Sequence, residues 1–288
     1  MSIKLLKEAI QLIIESPTSD GFEQSVAKSI NSQFKSRGIT AKRAGGDTTL
    51  PDVLVTVTNL GNSFIEVKMS HTDNLANPRV FYDGTKWNST YKTPVAKYAV
   101  ELLNSSEQSA EFVRDISDFV GRKTVKLPTT ISGLKDPDAV SLKEMFEFAS
   151  ARGGRYVVSE PNIDVGRLVT LHYTIGKSQA AHYLQAKDDF YMIGNADPLG
   201  LNIVNGGGIP LLGGTGDFKV RVSTRSKFYE IQTELKIKHF DPVSSRYSVL
   251  RGSTKINPFA ALADSIVQPE APPVATKVIK KIKSSTRH

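Results

Sequence analysis

Asp52, Glu66 and Lys68 fall on two short, otherwise apolar runs, Pro51-Asp52-Val53-Leu54-Val55-Thr56-Val57 and Ser63-Phe64-Ile65-Glu66-Val67-Lys68-Met69. Acidic residues are disfavoured in such β-like runs, so their presence needs a cause. Two carboxylates brought close together repel one another, and a divalent cation relieves that repulsion while keeping coordination positions for water and a phosphate oxygen. Mg2+ suits an all-oxygen donor set of this kind. A phosphodiester would bring its own negative charge. The cation and Lys68 would then stabilise the charge that builds on the phosphoryl oxygens during in-line attack. Lys68 could also orient or help deprotonate the attacking water.

The alternation of valine and isoleucine in these runs predicts two strands, Asp52 to Thr58 and Ser63 to Met69, each with one continuous apolar face. Asn59-Leu60-Gly61-Asn62 reads as the hairpin connection between them. With the turn centred on Leu60, Asp52 lies opposite Lys68 and Glu66 lies diagonally beside it. The plain alternative is an amphipathic ribbon with an ordinary Lys68–Asp52 cross-strand pair, worth roughly a few tenths of a kcal/mol. Upstream, apolar spacing predicts a helix over residues 3 to 14 and a second from about Gly21 to Arg37. Asp20 is the expected cap of the second helix, Glu23 lies in its first turn, and Gly38 falls just past its end.

Pro51-Asp52, thirteen residues and then Glu66-Val67-Lys68, on a hairpin preceded by a helix, resembles the PD-(D/E)xK nuclease superfamily. The resemblance covers residues 20 to 70. It implies a restriction-endonuclease-like α/β core of order α-β-β-β-α-β, a mixed sheet flanked by helices. It also implies that Asp52, Glu66 and the Val67 carbonyl hold Mg2+, with Mn2+ able to substitute, and that Lys68 serves the nucleophilic water. Cleavage of DNA would leave a 5′-phosphate, and Glu23 stands where the family's first helix often carries a further acid.

Ser70 to Tyr91 is polar and turn-rich, which predicts a long functional loop. Arg79 and Lys86 within it, with Lys92 just beyond, are candidate DNA contacts, or else the loop covers the core with Phe81 and Trp87 as anchors. Helices are expected at Pro94 to Leu103, Ala110 to Val120 and Ser141 to Ala151, forming a helical insertion. From a strand at Arg155 to Ser159 onward, short β-like runs and glycine turns predict a β-rich C-terminal half that completes the sheet or grips DNA, with Arg221 as a further candidate contact. The expected regions are 1–153, 154–265 and a basic flexible tail, 266–288. A second copy of the acidic pattern, Asp217 followed by Glu234-Leu235-Lys236, lies among lysines as on a solvated or DNA-facing sheet. Gly176-Lys177-Ser178 lacks the earlier glycine of a phosphate-binding loop and reads as a turn. His71 reads as a surface loop residue.

A formal charge of +8 and pI near 9.4 favour a polyanionic partner. Five of the basic residues lie in 271–288 with no acid among them, so the remaining body carries about +3. The absence of cysteine excludes disulfides, thiolate metal sites and a cysteine nucleophile. No run of apolar residues is long enough to span a membrane, and the charged N-terminus is unlike a secretory signal, so the expected location is the cytoplasm. The expected function is a Mg2+-dependent DNA endonuclease, of restriction type or else a phage-type recombination, repair or degradative nuclease. A homodimer would supply two active sites for two strands. The other expectation is a noncatalytic DNA-binding or virion-associated protein.

Overall fold

The computed structural model describes residues 18–44, 50–76, 79–127, 139–152, 157–224, 229–237 and 244–266. The expected helix over residues 3 to 14 and the basic tail lie outside the described residues.

Helix α1 (Ser19–Phe34) places Val26, Ile30 and Phe34 on one buried stripe, and a 3-10 turn over Lys35–Arg37 ends at Gly38, whose φ of 81° is left-handed. The cap is Thr18 and not Asp20. Thr18 is extended, and its hydroxyl accepts from the Gly21 N–H at 3.1 Å, which leaves Asp20 free to pair with Arg43 at 2.6 Å.

Strands β1 (Ile39–Arg43), β2 (Val53–Val57) and β3 (Gly61–Lys68) then form an antiparallel meander. Val53, Val55, Val57 and Ile65 are at most 1 % exposed and pack beneath α1. Burying each such side chain contributes about 1.5–3 kcal/mol. The hairpin register differs from expectation. Val53 pairs with Ile65 and Val57 with Gly61, so the turn centres on Asn59. The cause is local: Asn59 and Gly61, at φ 68° and 100°, take the left-handed positions that asparagine and glycine tolerate best. Extending the ladder by one residue aligns Asp52 with Glu66, and Lys68 overhangs.

The segment after β3 is not one long loop, because it contains β4 (Arg79–Tyr82) and β5 (Trp87–Asn88). Trp87 is buried, edge-on to Tyr82 at 5.4 Å and beside Phe112 at 5.9 Å, so it anchors the core. The helical insertion follows as α2 (Pro94–Ser105), α3 (Glu107–Val120) and α4 (Leu142–Ala151). Ser141 and Glu144 close a reciprocal capping box on α4.

Beyond residue 153 come β6 (Val157–Asp164), α5 (Val165–Ile175), β7 (Ala181–Ala186), β8 (Asp189–Met192), the single turn α6 (Leu201–Val204), β9 (Thr215–Thr224), β10 (Tyr229–Glu234) and α7 (Phe259–Ser265). Helix α5 is a correction to the β-rich expectation. Its β-branched and aromatic residues suggest a strand, but Asp164 caps it through the Arg167 N–H, and Val165, Leu168, Val169 and Tyr173 form a buried helical stripe.

Two five-stranded sheets result. The first has the order β1-β2-β3-β7-β8, with β3 and β7 parallel and every other pair antiparallel. It therefore joins strands from both sides of residue 153, and the C-terminal half completes the sheet through β7 and β8. The second has the order β5-β4-β10-β9-β6. Helices α1 and α7 cover one face of the first sheet; on the other, Leu184 and Ala186 share a core with α5 and the second sheet's Val80, Phe218 and Val220. No described helix is long and apolar enough to cross a membrane.

Candidate active site

Asp52, Glu66 and Lys68 meet where the β2–β3 hairpin opens, because β2 stops one residue short of Asp52 while β3 runs on to Lys68. The Asp52 carbonyl accepts from the Ala44 N–H at 2.8 Å, which fixes its backbone beyond β1. Its side chain turns to β3 and accepts from the Val67 N–H at 2.8 Å. Within a strand the N–H and C=O of one residue share an edge, so the Val67 carbonyl also faces the gap that β2 leaves.

Glu66 is only 2 % exposed. Its Oε1 accepts from Lys68 Nζ at 2.7 Å, whereas Oε2 is buried without a hydrogen bond. Burial, and next the charge of Glu66, push the Asp52 carboxyl up to about 7. The opposed charge of Lys68 and the Val67 hydrogen bond only partly offset this. Burial pulls the Lys68 ammonium down, but the negative charges of Glu66 and Asp52 and the hydrogen bond to Glu66 outweigh it and hold Lys68 well above the ordinary lysine value. Lys68 is consequently a fixed cation and no proton acceptor at neutral pH.

A cavity of about 190 Å³ opens beside these groups, lined among others by Glu23, Asp52, Val67, Lys68 and Asp73. Glu23 reaches it from the first turn of α1, yet its Oε2 takes the Arg43 Nε at 2.6 Å and Ser19 donates to its Oε1 at 3.3 Å. Glu23 is thus a neutralised wall of the cavity. Its Oε2 is engaged by Arg43. A larger cavity, about 350 Å³, lies toward the other end of β3 against Leu54, Phe64 and His182 and has no acid or lysine in its wall.

Helix α5 closes the site from the far face of the sheet, and nothing in the hairpin motif announces it. Tyr173 is fully buried, and its hydroxyl donates to the Leu75 carbonyl. Burial, with the charges of Glu66 and Asp52, keeps its phenol protonated. Burial, and then the charge of Lys177, lower the neighbouring His172 to about 4, so that imidazole is neutral at physiological pH. Lys177, in the turn after α5, places Nζ 3.9 Å from Glu66 Oε2. A buried stripe ending in Tyr173, with a lysine four residues further on, was the available signal. His71 is more than a surface residue, since its Nε2 lies 2.8 Å from Asp189 Oδ2 while Lys255 holds Oδ1 at 2.6 Å.

Arg79 opens β4 with its backbone paired to Gln232, Lys86 and Lys92 are exposed on either side of β5, and Arg221 lies within β9. Lys86, Lys92 and Arg221 are not among the residues that line the 190 Å³ cavity.

The donor set fits a divalent cation in a restricted sense. Two mutually repelling carboxylates, one with an orphaned buried oxygen, and a carbonyl on the same edge are hard oxygen ligands that a cation would satisfy. Among the described residues no three His, Asp or Glu side chains cluster as a metal cage, so water would have to complete the shell. Mg2+ commonly retains several waters. No family model matches the chain, and neither does any curated protein or solved structure in the comparisons made.

Proposed function

We propose that the chain is a Mg2+-dependent deoxyribonuclease of PD-(D/E)xK type. The observation that carries this is the pair of repelling, desolvated carboxylates, Asp52 and Glu66, beside the charged Lys68, with Asp52 and Lys68 in the wall of a cavity. The order α1-β1-β2-β3-α5-β7 supports it, since it follows the α-β-β-β-α-β order that the motif implies.

Asp52, Glu66 and the Val67 carbonyl would hold the cation. When bound, the cation would supply Lewis-acid stabilisation of the phosphoryl oxygens and an activated water. Lys68, kept charged, adds a positive group at the same phosphate and orients the attacking water. A water oxygen bonds to phosphorus as the bond from phosphorus to the 3′-oxygen breaks, leaving a 5′-phosphate and a 3′-hydroxyl. Arg43 neutralises Glu23, so Glu23 adds no unpaired negative charge against the substrate.

One observation favours a noncatalytic DNA-binding protein instead, namely that Lys68 engages Glu66 Oε1 directly at 2.7 Å. A digest separates the two. Purified protein with plasmid and Mg2+ is expected to cut, and Lys68→Ala and Asp52→Ala are expected to bind DNA without cutting. Discrete fragments indicate a restriction-type enzyme, and a smear indicates a degradative or repair enzyme. Intact plasmid with both Mg2+ and Mn2+ overturns the nuclease assignment.

A further inference from the structure

A second hollow lies along α1 and adjoins the candidate active site. It measures about 430 Å³ and runs between α1, which contributes Phe22, Lys28 and Ser29, and the segment that contributes Leu250 and Arg251. Phe22 also lines the 190 Å³ cavity whose wall includes Asp52 and Lys68, so the two hollows meet at that residue. Both walls are held in place. Phe22 and Leu250 pack on the core beneath α1. The buried Ser29 hydroxyl donates to the Val249 carbonyl at 2.6 Å, and the Val249 N–H donates to Gln185 Oε1 at 3.0 Å, which ties the far wall to α1 and to β7. The Ser253 N–H closes a turn on the Leu250 carbonyl at 3.3 Å, with Gly252 at φ 88° inside it, and so fixes where Arg251 emerges. The groove is therefore preformed.

Its charge is of one sign. Lys28 and Arg251 are exposed, and neither side chain has an ion pair or hydrogen bond among the described residues. No acid is among the described residues that line the groove. Asp20 and Glu23, on either side of Phe22 in the chain, are both held by Arg43 at 2.6 Å. Two unpaired cations in one groove suit a polyanion, because each phosphate they neutralise releases condensed counterions. The half-buried Phe22 adds an apolar surface for a deoxyribose or a base. Phe22 and Lys28 are six residues apart, which is about 9 Å along the helix, or about two to three nucleotides of a DNA strand at roughly 3.4 Å each. We infer that this groove holds the backbone of the DNA strand that is cut, about two to three nucleotides from the cleaved bond, with Lys28 and Arg251 on its phosphates. This rests on the reading of Asp52, Glu66 and Lys68 as a site that cuts DNA.

The test is the salt dependence of binding to a fluorescently labelled duplex, followed by anisotropy in EDTA so that no bond is cut. Each phosphate contact contributes about 0.9 to the slope of log affinity against log salt. The double variant Lys28→Met/Arg251→Met is expected to flatten that slope by about 1.8, so the advantage of wild type shrinks on the order of tenfold between about 50 and about 200 mM salt. Lys28→Arg/Arg251→Lys keeps both charges and the wild-type slope. Lys143→Met, which removes an exposed charge from α4, also keeps it. In cleavage of the same duplex with Mg2+, Lys28→Met/Arg251→Met raises KM on the order of tenfold and keeps kcat. Parallel slopes for wild type and this variant, an equal flattening by Lys143→Met, or an unchanged KM, in a wild type that still cuts, overturn the groove alone. A wild type that binds no duplex, or cuts none with Mg2+ and Mn2+, overturns the reading on which the inference rests.

Discussion

The two sheets spell nearly the same acidic pattern and treat it oppositely. In the first, Asp52 and Glu66-Val67-Lys68 lie at a hairpin mouth under α5, and burial leaves Asp52 with a carboxyl pushed up to about 7. In the second, Asp217 on β9 has a side chain 44 % exposed and finds Lys219 at 3.5 Å, two residues along its own strand. Glu234 pairs with Lys219 across the ladder, and Lys236 lies in a bridge to Asn74. Solvent and a local lysine settle Asp217 at little cost. Asp52 is more deeply desolvated, and Lys68 and the Val67 N–H offset that only in part, so its carboxyl stays raised. The same letter pattern meets opposite surroundings, a covering helix over the first sheet and solvent beside Asp217.

The contrast is broken or sharpened most strongly by cleavage. Lys68→Ala is expected to reduce the cleavage rate on the order of 1,000-fold with DNA binding largely kept, the scale seen when a preorganised charge-stabilising group is removed. Rates measured on labelled duplex that match wild type would break the distinction between the sheets.

The next effect is on stability. Because the Asp52 pKa is raised, ionised Asp52 opposes folding. Its unfavourable contribution is absent below its ordinary value of 3.8 and grows as pH rises to its full size above about 7. Asp52→Asn should therefore stabilise the cation-free protein at pH 8 by on the order of 3 kcal/mol, an advantage that shrinks as pH falls toward 4. Denaturant melts of both proteins across that range read the difference directly. Taking it as a difference cancels His172, whose lowered pKa makes it act with the opposite sign between 6.5 and 4.

Arg43→Met strands the nearly buried Glu23 and is expected to lower stability in the same melts. Tyr173→Phe leaves the buried Leu75 carbonyl without its donor and is expected to cost about 1 kcal/mol, with a several-fold loss in kcat from a less firmly packed Lys68. Asp217→Asn closes the series, with stability within about 0.5 kcal/mol of wild type and unaltered cleavage.

The α1 stripe, the glycine after it, the apolar faces of β2 and β3 and the insertion helices were all legible from local spacing, because each is decided by residues within a few positions of one another. The hairpin register was not. It turned on whether Leu60 or Asn59 sits at the centre of the turn, and the left-handed tolerance of Asn59 and Gly61 decided it. Helix α5 was hidden because Val165, Val169 and Thr170 carry strand propensity that tertiary burial overrides. Pairings such as Ile231 with Val80 and Val158 with Val220 join segments that no periodicity links. For the same reason Tyr173 and Lys177, more than a hundred residues from Glu66 in the chain, could not be assigned to its surroundings from spacing alone.

The central claim is that Asp52 and Glu66, and not their counterparts on the second sheet, make a divalent-cation site. Isothermal titration with Mn2+ in the presence of phosphorothioate duplex, on wild type, Asp52→Asn and Asp217→Asn, tests it most directly. The account predicts saturable binding in wild type and Asp217→Asn and its loss in Asp52→Asn. Binding that survives Asp52→Asn, or disappears in Asp217→Asn, would contradict it.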